Sequence, residues 1–276
     1  MHRTPTLTLF LLAAIMFIPS FSMASDAIEY LDPAGDDDGP GSYLYPTDRA
    51  YSRGSFDLRE VTIDVDDDVV EIRLELSARI EDPWRSEEWG GNGFSLQFLQ
   101  VYLDTDPTSG HQPALPGMNV QFPSMSAWDQ VILVSPQGRS RLQAEISEKA
   151  PSLADSIIIP LSTRAQGRTL VSRVERHTLG DSNPVNWGVQ VLVQSNEGFP
   201  SASDLLTRPV NEFEGAHRFG GGADYNCDPH VIDLLTLDAR GNAEEIASQH
   251  QLLSAYQCDD QGEGDPVEIP MIYRNR

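Results

Sequence analysis

Residues 56–79 read FDLREVTIDV, then DDD, then VVEIRLELSAR, and this stretch decides the fold. In its first half Val61, Ile63 and Val65 alternate with polar residues. After the turn Asp66-Asp67-Asp68, Val70, Ile72, Leu74, Leu76 and Ala78 alternate with Glu71, Arg73, Glu75 and Ser77. A period of two sends one set of side chains to a core and the other to water. Two such runs across a short acidic turn predict an antiparallel hairpin.

Further strands are expected on both sides of it. Phe94–Leu103 (FSLQFLQVYL) and Val185–Gln194 (VNWGVQVLVQ) are apolar enough to be central. Asp129–Val134 and Gln143–Ile146 read as shorter strands, Ser156–Pro160 as a buried run, and Thr169–Glu175 alternates. Pro, Gly and Asn punctuate the gaps, and many short strands spaced in this way suggest a sandwich. No sustained 3.6-residue pattern precedes residue 240. Ala243–Ser254 would form one short helix with Ile246, Leu252 and Leu253 inward. The expected fold is all-β, a single antiparallel β-sandwich with long loops over residues 25–276.

The first 24 residues read as a secretory signal peptide. Arg3 supplies the positive start, Leu9–Ile18 the apolar run, and Ser22-Met23-Ala24 the small residues ahead of the cleavage point. The alternative for this segment is an uncleaved anchor. No cysteine stands at the cleavage point, which argues against a lipid anchor. No later segment holds about 18 consecutive apolar residues, so no membrane insertion is expected once the leader is removed. The expected location is secreted or periplasmic.

The formal net charge is −23 and the sequence pI about 4.4. Nucleic acid and anionic lipid need a basic surface, so neither is an expected partner. An acidic chain suits cations. Its only lysine is Lys149, beside 18 arginines, which hints at a salty habitat. Two cysteines in an exported chain, Cys227 and Cys258, predict a disulfide. Closing that loop contributes about 3.5 kcal/mol in the chain-entropy model. Neither cysteine has a CxxC spacing, which disfavours metal binding by the pair.

The densest chemistry lies in DPAGDDDGPG, residues 32–41. Asp32, Asp36, Asp37 and Asp38 place four carboxylates within seven residues, and the glycines let the backbone curl. Calcium takes six to eight oxygens and would relieve their repulsion, with Asp57 as a more distant ligand. The competing reading is a solvated acidic loop. A second acidic turn, Leu103–Gly110 (LDTDPTSG), also suits calcium but reads more simply as a strand-end turn.

Trp84 and Trp89 flank Arg85, Glu87 and Glu88, while Tyr43, Tyr45 and Tyr51 line the first loop. A flat aromatic face beside hydrogen-bonding groups suits a sugar ring, so Trp84 and Trp89 are the expected ligand-binding residues. Trp187 and Trp128 are expected to be structural. No catalytic residues are expected: the histidines are scattered, no GxSxG elbow occurs, and Gly220-Gly221-Gly222 resembles a phosphate cradle only loosely.

Several motifs together resemble a known family. DPAGDDDGPGSYLYPTD, FDLREVTIDV, PWRSEEWGGNGFSLQFLQVYLDTDPTSG, LPGMNV, AWDQVILV, ADYNCDPHVIDLL and VEIPMIY are similar to the C-terminal binding module of glucodextranases and amylopullulanases, from about Leu31 to Tyr273. That module resembles the DOMON and family-9 carbohydrate-binding superfamily of antiparallel sandwiches. The resemblance implies a non-catalytic module, accessory to a glycoside hydrolase, that binds polysaccharide or cell-envelope glycan. It also strengthens the expectation of a structural calcium at Asp32, Asp36, Asp37, Asp38 and Asp57. The departure is that no hydrolase sequence accompanies the module within these residues. A cell-envelope scaffold is the second expectation. A haem protein ligated by residues such as Met118, Met125 or His217 is the third.

Overall fold

The computed structural model describes residues 27–223, 227–236, 242–259, 261–262 and 264–274. The expected leader, residues 1–24, lies outside the described residues. The hairpin forms as its alternation dictates. β2 (Leu58–Val65) pairs antiparallel with β3 (Val69–Leu76), placing Val61 opposite Leu74 and Ile63 opposite Ile72. β1 (Ile28–Leu31) joins the outer edge of β2, while β9 (Thr169–Glu175) and β8 (Ser162–Gln166) extend the sheet from β3. The result is a five-stranded antiparallel sheet in the order β1-β2-β3-β9-β8.

The second sheet runs β11 (Asp233–Leu234), β10 (Gly188–Ser195), β4 (Gln97–Asp104), β6 (Gln130–Val134) and β7 (Ile157–Ile158), with β15 (Ile272–Tyr273) also on β10. Its pairings are antiparallel except β6 with β7. Two short pairs stand apart: β5 (Val120–Gln121) with β14 (Val267–Glu268), and β12 (Gln257–Cys258) with β13 (Gly264–Asp265).

The two sheets share a core to which Val61, Ile63, Ile72 and Leu74 contribute from one side and Val101, Leu103, Val189 and Val191 from the other. A second apolar cluster covers the opposite face of the second sheet, where Phe98, Tyr102, Leu133 and Leu192 pack with Leu142, Ile146 and Leu253. This explains why the strands read differently in sequence. β3 alternates between buried and half-buried residues because only one of its faces is covered. β4 and β10 are buried at every residue because both of their faces are covered, which favours continuous apolar runs.

One expectation fails here. Gln143–Ile146 is not a strand but part of helix α1 (Arg139–Lys149), so a helical pattern does precede residue 240. Leu142 and Ile146, one turn apart, face the core. Glu145 sits between them in the buried stripe and pairs with Arg141 at 2.6 Å and Lys149 at 2.9 Å, one turn away in each direction. The core-facing stripe therefore carries a charge, which weakens the apolar signal of a helix in the sequence. The C-terminal helix does form, as α2 (Asn242–Leu253). It turns Glu245, Gln249 and Leu253 inward and leaves Ile246 and Leu252, both expected inward, half-buried. Cys227 and Cys258 are joined in a disulfide with a Cα–Cα distance of 5.9 Å. Trp187 and Trp128 are buried: Trp187 Nε1 donates to Ser182 Oγ at 2.8 Å and Trp128 Nε1 to the Pro113 carbonyl at 2.9 Å.

Candidate functional site

A cleft of about 630 Å³ opens beside the C-terminal end of β10. Trp84, Trp89 and Phe199 give it an aromatic wall, and Gln137, Asn196, Glu197, Arg141, Arg208 and His217 supply polar groups. Trp84 is 37% exposed, Trp89 44% and Phe199 94%. Asp82 pins the loop carrying both tryptophans. Asp82 accepts from Ser86 N at 2.9 and 2.8 Å, from Ser86 Oγ at 2.9 Å, and from Ser95 Oγ. Trp89 Nε1 donates to the Trp84 carbonyl at 3.2 Å, which ties the Trp89 indole to the Trp84 backbone.

The floor of the cleft is an ionic hub. Glu197 accepts from Arg208 Nε at 3.2 Å and Arg218 Nη2 at 3.0 Å, and its other oxygen takes the Phe199 amide at 3.1 Å. Arg208 Nη1 also donates to Tyr51 Oη and to the His217 carbonyl, both at 2.7 Å. The Arg208 guanidinium lies 6.0 Å from the Trp84 ring centre, and Tyr51 and His217 meet the same ring edge-on. Trp84 is thus buttressed from behind while its outer surface stays in solvent. Side chains locked before a ligand arrives lower the entropy lost on binding.

A second arrangement lies where the two sheets approach each other. Ligand oxygens of Asp32, Asp36 and Asp233 all fall within 4.8 Å of one another, and all three residues are buried. Asp32 follows β1, Asp57 precedes β2, and Asp233 lies on β11. Gly35, at φ +83°, turns the loop, and its amide donates to Asp57 Oδ2 at 2.9 Å. Asp32 Oδ1 accepts from Thr236 N at 2.6 Å, and Asp233 Oδ2 from Leu58 N at 2.7 Å. Four buried oxygens of this cluster find no hydrogen-bond partner among the described residues: Asp32 Oδ2, both oxygens of Asp36, and Asp57 Oδ1. Burial raises the Asp32 pKa, and the charge of Asp36 adds to it. Asp36 is pushed up to about 7 by burial and then by Asp57. Asp233 is raised well above the carboxylate range by burial, then by Asp36 and Asp32. The donors are all hard oxygens, as a calcium-sized dication requires.

Asp37 and Asp38 are engaged elsewhere. Asp37 Oδ2 accepts from Tyr45 Oη and from Gly54 N at 3.2 Å. Asp38 Oδ1 lies 2.8 Å from His250 Nε2. The sequence reading missed Asp233, whose signal was a lone carboxylate inside the apolar run VIDLL. It also missed Glu197 and Arg208. The second acidic turn is a strand-end turn closed by Asp129 from outside it and by Asp106 from within. Asp129 Oδ2 accepts from the amides of Thr105 and Asp106 at 2.7 Å each, and Asp106 accepts from Thr108. Of the three residues named for haem, Met118 is buried in the second cluster, Met125 is exposed, and His217 lines the cleft. Gly220-Gly221-Gly222 is a packing device. Gly220 exchanges two 2.9 Å backbone hydrogen bonds with Leu44, and a Cβ on Gly221 would meet the Ser42 carbonyl oxygen at 2.1 Å.

Among the described residues no helix is long and apolar enough to cross a membrane. No curated protein matches the chain. A family model described as the C-terminal binding module, SLH-like, of glucodextranase matches residues 28–267, which takes in both sheets apart from β15, the aromatic cleft and the carboxylate cluster. On that match the chain belongs to the family of C-terminal, SLH-like binding modules of glucodextranase.

Proposed function

We propose that this protein is an exported, non-catalytic module that binds polysaccharide or cell-envelope glycan in the cleft lined by Trp84 and Trp89. The observation that carries this reading is the pair of part-exposed indoles, Trp84 braced by Arg208, Tyr51 and His217 and Trp89 tied through its Nε1 to the Trp84 carbonyl. A pyranose ring offers an apolar C–H face to such a wall and hydroxyls to its polar rim. Gln137, Asn196 and Arg141 stand where rim hydroxyls would need partners. The cleft volume lies in the range of small-ligand sites. The disulfide suits an oxidising compartment outside the cytoplasm. A structural calcium belongs to the same reading, with the buried carboxylates as its oxygen donors.

The test is a glycan array followed by calorimetry on the purified chain, using α- and β-glucans and envelope polysaccharides. Trp84→Ala and Trp89→Ala should each weaken binding about tenfold, the equivalent of losing one aromatic contact. A blank across all glycans for the wild-type chain, or wild-type affinity in both tryptophan variants, removes the proposal.

A further inference from the structure

The calcium part of that reading can be taken further. We infer that one dication clasps the two sheets together, held by Asp32, Asp36 and Asp57 from the first sheet's side and closed by Asp233 from the second. The acidic loop alone does not make this site, because Asp37 and Asp38 turn away to Tyr45 and His250. Within this cluster the oxygens that lack a partner among the described residues are one of Asp32, one of Asp57 and both of Asp36. Asp36 is 0% exposed with neither oxygen hydrogen-bonded, so its carboxylate is aimed at a place that water does not reach. An ionised carboxylate so placed is costly unless a cation meets it.

The spacing agrees. Two oxygens on opposite sides of a calcium ion, each at about 2.4 Å, stand about 4.8 Å apart. The ligand atoms of Asp32, Asp36 and Asp233 all lie within 4.8 Å of one another. Magnesium keeps several waters and uses one or two carboxylates, whereas this dry set of carboxylates suits calcium. Direct hydrogen bonds already tie the same segments: Thr236, just past β11, donates to Asp32, and Leu58 of β2 donates to Asp233. Gln249 of α2 adds a bond to the Asp36 carbonyl. The ion would therefore hold the sheet edges, and α2 through Gln249, at one point.

The experiment uses the full chain stripped with chelator, then titrated with calcium by calorimetry and with terbium by sensitised luminescence. Asp36→Asn and Asp233→Asn should each weaken binding at least about a hundredfold, the upper end of what outer-shell losses cost. Asp37→Asn and Asp38→Asn should stay within about threefold of wild type, because neither changes a ligand. Melting supplies a control against simple misfolding. In chelator, Asp233→Asn should melt lower only by the loss of one acceptor for the amides of Leu58 and Leu234, which donate to its two oxygens; in calcium the drop should be larger. An equal drop in both conditions would mark Asp233 as merely structural and overturn the inference. Loss of binding in Asp36→Asn with none in Asp233→Asn would refute the clasp while leaving calcium in the loop. No binding of calcium or terbium by the wild-type chain would remove the calcium reading and the clasp together. None of these outcomes bears on the glycan cleft.

Discussion

Removing the Glu197 carboxylate tests whether the cleft is built before a ligand arrives. Glu197 and Arg208 are both about one-tenth exposed as side chains, and Arg208 reaches Glu197 at 3.2 Å. Breaking a buried ion pair by deleting one partner costs about 3–5 kcal/mol, because the other charge is stranded. Arg208 keeps its 2.7 Å bonds to Tyr51 and the His217 carbonyl, so the lower end applies. Glu197→Ala should therefore cost about 3 kcal/mol. Glu197→Gln retains an acceptor and should cost about 1.5 kcal/mol. The Arg218 side chain, 39% exposed, is the solvated arm of the hub, and Arg218→Ala should cost less than about 1 kcal/mol. The assay is urea unfolding with the three variants compared at constant slope. Glycan affinity should fall with Glu197→Ala, because Arg208 is then held only by Tyr51 and the His217 carbonyl and braces Trp84 less firmly, and the Phe199 amide loses its acceptor. A cost under about 1 kcal/mol for Glu197→Ala, or an equal cost for Arg218→Ala, would refute the argument that a buried pair organises the cleft.

Two further outcomes follow from the packing. Gly221→Ala forces a side chain onto φ +86° and within 2.1 Å of the Ser42 carbonyl oxygen, so the melting temperature should fall by about 6–12 °C, whereas Gly90→Ala, at φ +80° with no atom within 4 Å, should lower it by only about 2–4 °C. Equal shifts in thermal melts would show that the contact with Ser42 is not what requires glycine. Cys227→Ser should lower stability by about 3.5 kcal/mol, and adding a reductant to the wild type should reproduce the loss. An unchanged melt under reducing conditions would show that the crosslink contributes nothing.

The amino-acid sequence by itself determined the hairpin, because alternation at Val70, Ile72, Leu74 and Leu76 has one physical solution when a single face is buried. It determined that β4 and β10 are central, since only a strand covered on both faces tolerates such a run of apolar residues. It also marked Trp84 and Trp89 as a pair, because they share one loop. The helix α1 was hidden, since Glu145 occupies its buried stripe and is neutralised only by Arg141 and Lys149 one turn away. What tertiary structure decided is which charges meet. Asp233 stands far along the chain from Asp32 and Asp36, and Arg208 from Trp84 and Tyr51. Sequence order carries no information about such encounters until the sheets stack. Burial then turns a scatter of acids, common in a chain of net charge −23, into one set of carboxylates with unmet oxygens.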